Sequence, residues 1–155
     1  MARFYTAQEG HVINALAPVD INGGANSDIF SMKDCSHVSI IIQLGVTGAA
    51  STITVEECDD VTPSNSTAIA FDYYAETTAS GDTLGAKTAA TTAGFATSTN
   101  DSVFYVIEID SEQLTEGYPY LRVVCSDPGA STFVSIAAVL SGFAYQQSEN
   151  RTQIT

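Results

Sequence analysis

The amino-acid sequence predicts an all-β protein, a jelly-roll-like or related antiparallel β-sandwich of about 7–9 strands. Apolar and polar residues alternate with a period of two in most of the apolar runs, which indicates strands with one buried face. Turn-forming Gly, Pro, Asn and Asp residues separate these runs. Helical spacing of apolar residues does not extend beyond two turns anywhere in the sequence. Residues 1–155 are therefore predicted to form a single sandwich domain.

The segment Val38–Val46 has the clearest strand pattern. Its even-numbered residues are all apolar and its odd-numbered residues are mostly polar or small, with Ile41 as the exception. The other strong candidates alternate in the same way or are rich in β-branched and aromatic residues: Thr52–Glu56, Ala68–Tyr73, Val103–Ile109, Tyr120–Cys125 and Phe133–Leu140. Weaker candidates are His11–Leu16 and Asp28–Met32. One helical turn is expected at Ser111–Leu114, with Ser111 as its cap.

The segment Thr77–Asn100 is rich in Thr, Ala, Ser and Gly, and its only large apolar residues are Leu84 and Phe95. We expect a long loop there, with a short edge strand near Leu84–Ala86. Because loops of this length within a domain usually have a function, we expect it to be a contact surface. The N-terminal segment (about residues 1–10) and the C-terminal arm (about residues 146–155) lack a core pattern and are expected to be extended.

The charge of the chain restricts its partners. Five Lys and Arg residues against 18 Asp and Glu residues give a net charge of −13. Because nucleic-acid affinity depends on phosphate contacts by Lys and Arg, we expect no nucleic-acid partner. Charged residues make up 15% of the chain, below the usual share of about 25%. The expected surface is rich in hydroxyl groups and can contact another protein at a small desolvation cost.

Signals for membranes and secretion were also considered. No stretch reaches the roughly 18 apolar residues of a membrane span, so we expect no membrane partner. No apolar run follows Met1-Ala2-Arg3, so we expect no signal peptide. The cysteines are odd in number and widely spaced, at Cys35, Cys58 and Cys125, which does not favour a disulfide framework. These features together predict folding in a reducing cytoplasm.

Two acidic segments are candidates for binding a hard cation. Asp20–Asp28 faintly resembles a calcium loop, but an EF-hand beginning at Asp20 would need a ligand, a Gly and a Glu where the sequence has Gly24, Ala25 and Ser31. A turn built from Asn, Asp and Gly residues is favoured there. Glu56–Asp60 is the densest acidic run, and because it follows a strand, a solvated strand end is favoured over a cation site.

Motifs for catalysis and for cofactors do not emerge from the sequence. His11 and His37 have no second ligand pair at zinc spacing, and Cys35-Ser36-His37 is the nearest approach. The chain has no Gly-x-Ser-x-Gly elbow, and Gly23-Gly24 is not followed by the Lys-Ser or Lys-Thr of a phosphate loop. The 18 acidic residues leave a facing carboxylate pair of the glycosidase type open. We expect no cofactor, no metal and no enzymatic activity.

The candidate functional residues are therefore contact residues. Tyrosines that point outward from strands, such as Tyr74 and Tyr120, suit a subunit interface because they give contact area at a low entropy cost. The long loop offers Leu84 and Phe95. The terminal segments add Arg3, Phe4, Tyr5, Tyr145 and Arg151.

Six short segments follow one another from about residue 38 onward: Ser51–Val55, Ala68–Tyr73, Gly94–Thr97, Tyr105–Asp110, Gly117–Arg122 and Ala138–Ser141. In their order and spacing, with Tyr145 just beyond, they resemble the small cement or decoration proteins that coat the capsids of some tailed bacteriophages. The first 35 residues do not take part in this resemblance. No segment is diagnostic alone, since any β-sandwich can contain one of them.

The resemblance implies a jelly-roll or related β-sandwich that binds the outside of a phage capsid as an oligomer, with a trimer favoured over a dimer. The implied partners are the major capsid protein and other copies of the chain. The implied location is the virion capsid surface, after synthesis and assembly in the host cytoplasm. The alternative is a carbohydrate- or receptor-binding module on a phage tail or fibre. A third hypothesis, a β-sandwich hydrolase, requires a cleft with two carboxylates whose pKa values are perturbed.

Overall fold

Two antiparallel β-sheets pack face to face in the computed structural model, which describes residues 5–76, 78, 81–144 and 154. The strands, in chain order, are β1 (His11–Asp20), β2 (Ala25–Asn26), β3 (Phe30–Ser31), β4 (Cys35–Thr47), β5 (Thr52–Cys58), β6 (Ser66–Ile69), β7 (Phe71–Glu76), β8 (Thr88–Ala90), β9 (Phe95–Ala96), β10 (Phe104–Asp110), β11 (Tyr120–Cys125) and β12 (Thr132–Phe143). A short helix, α1 (Thr6–Glu9), precedes β1, and one 3-10 turn (Ser111–Gln113) follows β10. The all-β class predicted from the sequence is confirmed.

The strand pairing gives the sandwich its topology. The first sheet has the order β1-β12-β4-β10-β7-β8, and the second has the order β2-β11-β5-β6, with β3 beside β11 and β9 beside β5. The pairs β1–β12, β2–β11, β4–β10 and β5–β6 are nested one inside another along the chain. Nested pairing divided between two sheets is the winding of a jelly roll. Strands β7 and β8 extend the first sheet beyond β10.

The core lies between the two sheets and follows from the alternation in the strands. Four side chains of β4 point inward and are at most 1% exposed: Val38, Ile40, Ile42 and Leu44. Strands β5 and β11 oppose them with four more buried side chains: Ile53, Val55, Leu121 and Val123. Burying one such side chain contributes about 1.5–3 kcal/mol. This gain determines which face of each strand is turned away from solvent.

The segment Ala68–Tyr73, predicted as one strand, is divided between two sheets. Strand β6 ends at Ile69 in the second sheet, and β7 begins at Phe71 in the first. The chain crosses from one sheet to the other at Ala70, which is exposed. Alternation does not reveal this crossing, because both sheets turn their apolar side chains to the same core.

The edge strand expected at Leu84–Ala86 is instead β8, Thr88–Ala90. Ala90 is 6% exposed and joins the core, whereas residues 81–89 are all exposed. The helical turn also differs in detail, since its cap is Asp110 rather than Ser111. The backbone N–H of Asp110 donates a hydrogen bond of 2.8 Å to the side-chain oxygen of Gln113.

The terminal segments are only partly described. Within the expected N-terminal segment, residues 6–9 form α1 and are therefore not extended. Residues 1–4, 145–153 and 155 lie outside the described residues, and so the predictions for Arg3, Phe4, Tyr145 and Arg151 do too. Ile154 forms an antiparallel bridge with Phe30 and packs against the core. The chain near its C-terminus thus contacts the domain at β3.

Phe95 was expected to contribute to a contact surface, but it is a core residue with 7% of its surface exposed. Its ring stacks on Tyr73, with 4.1 Å between centroids, and lies 5.0 Å from the ring of Tyr105. Phe95 packs into the core although its segment is otherwise polar, because burying an aromatic ring stabilises the folded domain more than leaving it in solvent.

The two large apolar residues of this segment should therefore respond differently to truncation. Phe95→Ala should lower the free energy of unfolding by about 3–5 kcal/mol, because it removes a buried ring. Leu84→Ala is the matched control and should change it by less than about 0.5 kcal/mol. Urea unfolding followed by circular dichroism measures both values. Equal losses would contradict the assignment of Phe95 to the core and Leu84 to the surface.

Candidate interaction face

The outward faces of the two sheets differ in chemistry. The outward side chains of the second sheet are mostly polar, namely Thr52, Thr54, Glu56, Tyr120 and Arg122, with Val124 and Ala68 as apolar exceptions. Arg122 and Glu56 lie opposite each other on β11 and β5 and form an ion pair. This face can remain in water without cost, because its groups are polar and its charges are paired.

The outward face of the first sheet is apolar over several adjacent strands. The registers place Asn14, Ala137, Ile41, Val106 and Tyr74 in one row from β1 to β7. Val12 is 54% exposed, Ile41 is 37% exposed and Phe133 is 44% exposed. We call this surface the apolar face, and it consists of Val12, Ile41, Tyr74, Phe104, Val106, Phe133, Ala137 and Val139. Ala137, Ile41, Val106 and Tyr74 adjoin across four strands, with the polar residues Ser39 and Gln43 beside Ile41 on β4. An apolar row of this kind on an outward face is typical of a contact with another macromolecule.

A histidine between two carboxylates borders the apolar face at one end. His37 on β4 lies opposite Asp110 and beside Glu108 on β10. Its Nδ1 is 2.8 Å from Asp110 Oδ1, and its Nε2 is 2.8 Å from Glu108 Oε2. Only the protonated ring can donate to both carboxylates at once.

The surroundings of His37 favour its charged form. Burial is the largest single effect and lowers the pKa of His37, but the hydrogen bonds to Asp110 and Glu108 and their negative charges outweigh it. The net result is a pKa raised above the usual 6.5. The imidazolium therefore balances part of the acidic charge at this end of the face.

The same cluster was considered as a catalytic site. Ser39 Oγ is 3.4 Å from His37 Nε2, which is a spacing reminiscent of a serine nucleophile and its base. The Ser39 hydroxyl, however, donates to Glu108 Oε2 at 2.7 Å, and Glu108 also occupies His37 Nε2. This geometry directs the serine O–H toward a carboxylate and leaves the imidazole no free nitrogen to act as a base. The cluster is arranged for charge pairing.

Charges elsewhere on this side of the first sheet are also paired. Asp72 on β7 forms an ion pair with Lys87, with 2.7 Å between Asp72 Oδ2 and Lys87 Nζ. Asp72 lies in the same row as Glu108, Ser39 and Val139. The charges that border the apolar face are thus paired, although His37 balances only one of its two carboxylates and the whole chain carries a net charge of −13.

Glu76, at the end of β7, is the exception to this pairing. It is 2% exposed, and neither carboxylate oxygen has a hydrogen-bond partner among the residues that the structure describes. Gly81 covers it closely, since a side chain at Gly81 would overlap Glu76 Oε1. Its cross-strand neighbour is Phe104 on the apolar face. A buried carboxylate without a partner destabilises the folded domain.

The candidate contact residues predicted from the sequence lie at separate places. Tyr74 is half-buried on the apolar face, and Tyr5 is 50% exposed just before α1. Leu84 is 36% exposed in the loop between β7 and β8. Tyr120 lies on the second sheet, where its hydroxyl accepts a hydrogen bond of 2.9 Å from Lys33 Nζ. These described residues do not form one patch, and only Tyr74 belongs to the apolar face.

The centre of the apolar face and the pairing of His37 were not predicted from the sequence. One signal was available, because Ile41 interrupts the alternation at an outward position of β4. The continuous apolar run from Val103 to Ile107 is a second signal of the same kind. The partners of His37 come from a strand about 70 residues away, and only the register brings them together.

The two acidic segments have structural roles. The Asp20 carboxylate accepts hydrogen bonds from the backbone N–H groups of Asn22 and Thr132, at 3.0 Å each, as a turn residue does. The Glu56–Asp60 run is less solvated than predicted, because Glu57 is 4% exposed and accepts a 2.7 Å hydrogen bond from the N–H of Thr115. Within the described ranges, no three His, Cys, Asp or Glu side chains are placed to hold a metal ion.

The three cysteines are free and buried. The helices that the structure describes are too short and polar to cross a membrane. Comparisons with family models, with curated proteins and with solved structures found no match. The geometry of the apolar face is therefore the basis for the functional conclusion.

The pairing of His37 predicts a dependence of stability on pH. Since the folded-state pKa of His37 is raised, its contribution is fully present below the unfolded value of about 6.5 and is lost as the pH rises through the folded value. His37→Gln should therefore cost about 1 kcal/mol at pH 5.5 and markedly less at pH 9. Thermal unfolding at both pH values checks this, with His11→Gln as the control. A cost that increases with pH would contradict the assigned charge state.

The burial of Glu76 predicts a stabilising substitution. Glu76→Gln keeps the shape but replaces the carboxyl group with an uncharged amide, so it should raise the free energy of unfolding by about 1–3 kcal/mol. The control Glu112→Gln alters an exposed acid in the 3-10 turn and should have little effect. Urea unfolding midpoints give both values. A loss of stability in Glu76→Gln would show that the carboxylate has a stabilising partner.

Proposed function

We propose that this protein is a structural component of a virion, which binds the outside of a phage capsid as an oligomer and reinforces contacts between capsomers of the major capsid protein. The observation that carries the proposal is the apolar face on a two-sheet domain. Such a face contributes binding energy through buried apolar area. The sequence resemblance to capsid cement proteins supplies the identity of the partner.

The mechanism proposed is mechanical. Packaged DNA presses outward on a capsid shell, and a protein that binds neighbouring capsomers adds contacts that must break before the shell opens. By mass action, a protein that binds only the assembled shell stabilises it. Several copies joined in one oligomer gain further through avidity. The net charge of −13 suits a position outside the shell, away from the packaged genome.

The paired charges near the apolar face support a protein partner. An uncompensated charge at the border would lose hydration on docking and weaken the contact. His37 with Asp110 and Glu108, and Lys87 with Asp72, enter such a contact already paired. An apolar centre within a polar border is the usual composition of a protein–protein interface.

Sedimentation with purified capsids tests the proposal. Wild-type protein should pellet with capsids, and Ile41→Lys should weaken this binding at least about tenfold, because it places a charge in the centre of the apolar face. Thr54→Lys puts the same side chain on the outward face of the second sheet and is the matched control. Failure of the wild-type protein to pellet, or equal effects of the two substitutions, would contradict the proposal.

A further inference from the structure

A small uncharged pocket opens near one end of the apolar face. It has a volume of 240 Å³, and its lining includes Pro18, Gln43, Gly45, Ser102, Phe133 and Ser135. This volume is below the roughly 300–1,000 Å³ of pockets that hold small-molecule ligands. It is suited to a single inserted side chain with an apolar body.

The loop between β7 and β8 offers such a side chain. Residues 81–89 are all exposed, and Leu84 is the only large apolar residue among them. The neighbouring residues Thr83, Gly85 and Ala86 carry no charge. The Gly85 N–H donates a 2.9 Å hydrogen bond to the carbonyl of Ala75, which holds this part of the loop beside β7. Leu84 is thus presented next to the sheet edge rather than packed into the core.

The pocket and Leu84 lie at the same level of the first sheet but toward opposite sides of it. The registers connect Ser135, Gln43, Phe104 and Glu76 in one row across β12, β4, β10 and β7. Ser135 and Gln43 line the pocket, and Ala75 beside Glu76 holds the loop. Three strand spacings of about 4.8 Å separate β12 from β7 in this row. Phe104 of β10 lies between the pocket and β7 in this row, so the loop and the pocket are separate sites on one chain.

We propose that Leu84 of one copy inserts into the pocket around Phe133 of a second copy, so that copies join side by side in a closed ring. This rests on the proposed function, because it names the self-contact of the same oligomer. A contact between two different patches is heterologous, and it closes into a ring when successive copies are related by rotation without a rise. Leu84 and the pocket lie at one level of the sheet. Copies rotated about an axis along the strands can therefore make this contact without a rise.

The charge of the chain supports this choice of contact. Two copies that each carry −13 repel each other across most of their surfaces. The pocket lining and the segment Thr83–Ala86 are both uncharged, so the contact itself sets no like charges against each other. A single apolar anchor in a desolvated pocket is also the usual centre of binding energy in an interface.

Native mass spectrometry of the pure protein tests the ring with two variants. Leu84→Asp removes the anchor, and Ser135→Trp fills the pocket. Each should be monomeric alone, with self-association weakened at least about 30-fold. Leu84→Met and Thr54→Trp are the matched controls and should keep the wild-type oligomer. Leu84 is exposed and Ser135 is half-buried on an outward face, so both variants should fold, and circular dichroism melts check this.

Mixing the two variants gives the sharpest result. Leu84→Asp retains an intact pocket and Ser135→Trp retains an intact anchor, so an equimolar mixture should form a dimer of one copy each and nothing larger. A wild-type protein that is monomeric at tens of micromolar, an oligomeric Leu84→Asp variant or a monomeric mixture would each overturn the proposal. Capsid binding does not enter this measurement, so its outcome is separate from that of the proposed function.

Discussion

The pairing of β4 with both of its neighbours is the constraint on which the rest of the molecule depends. Strand β4 pairs with β12 from Thr47 to Cys35, and with β10 from Gln43 to His37. Because strand side chains alternate, this register turns Val38, Ile40, Ile42 and Leu44 into the core. It must then turn the intervening residues outward, whatever their chemistry.

Several outward residues of the first sheet are apolar, which folding alone does not require. Ile41 could be polar at no cost to the core, and so could its neighbours Val106 and Ala137 in the same row. The exposed part of Ile41 gains nothing in the isolated domain, while its burial against a partner would contribute about 25 cal/mol per Å² of apolar area. The second sheet, with the Glu56–Arg122 pair facing solvent, shows the composition of a face that does not require a partner.

Much of the fold could be predicted from the sequence, because period-two alternation reports burial directly. The strands around Val38–Val46, Val103–Ile109 and Tyr120–Cys125 were found close to their observed bounds. The break at Ala70 and the core position of Phe95 were not predicted, because both depend on which sheet or ring lies opposite. The interaction face was missed for the same reason, since its rows combine residues from strands that are distant in the sequence.

The proposed capsid contact requires that the outward face of the first sheet is covered by a protein partner. Cryo-electron microscopy of the virion, at a resolution that places individual strands, tests it directly. The account predicts density for this chain on the outer shell, with Ile41 and Val106 of each copy buried against a capsid protein or against another copy. A virion that lacks this chain, or one in which the apolar face is open to solvent, would contradict it.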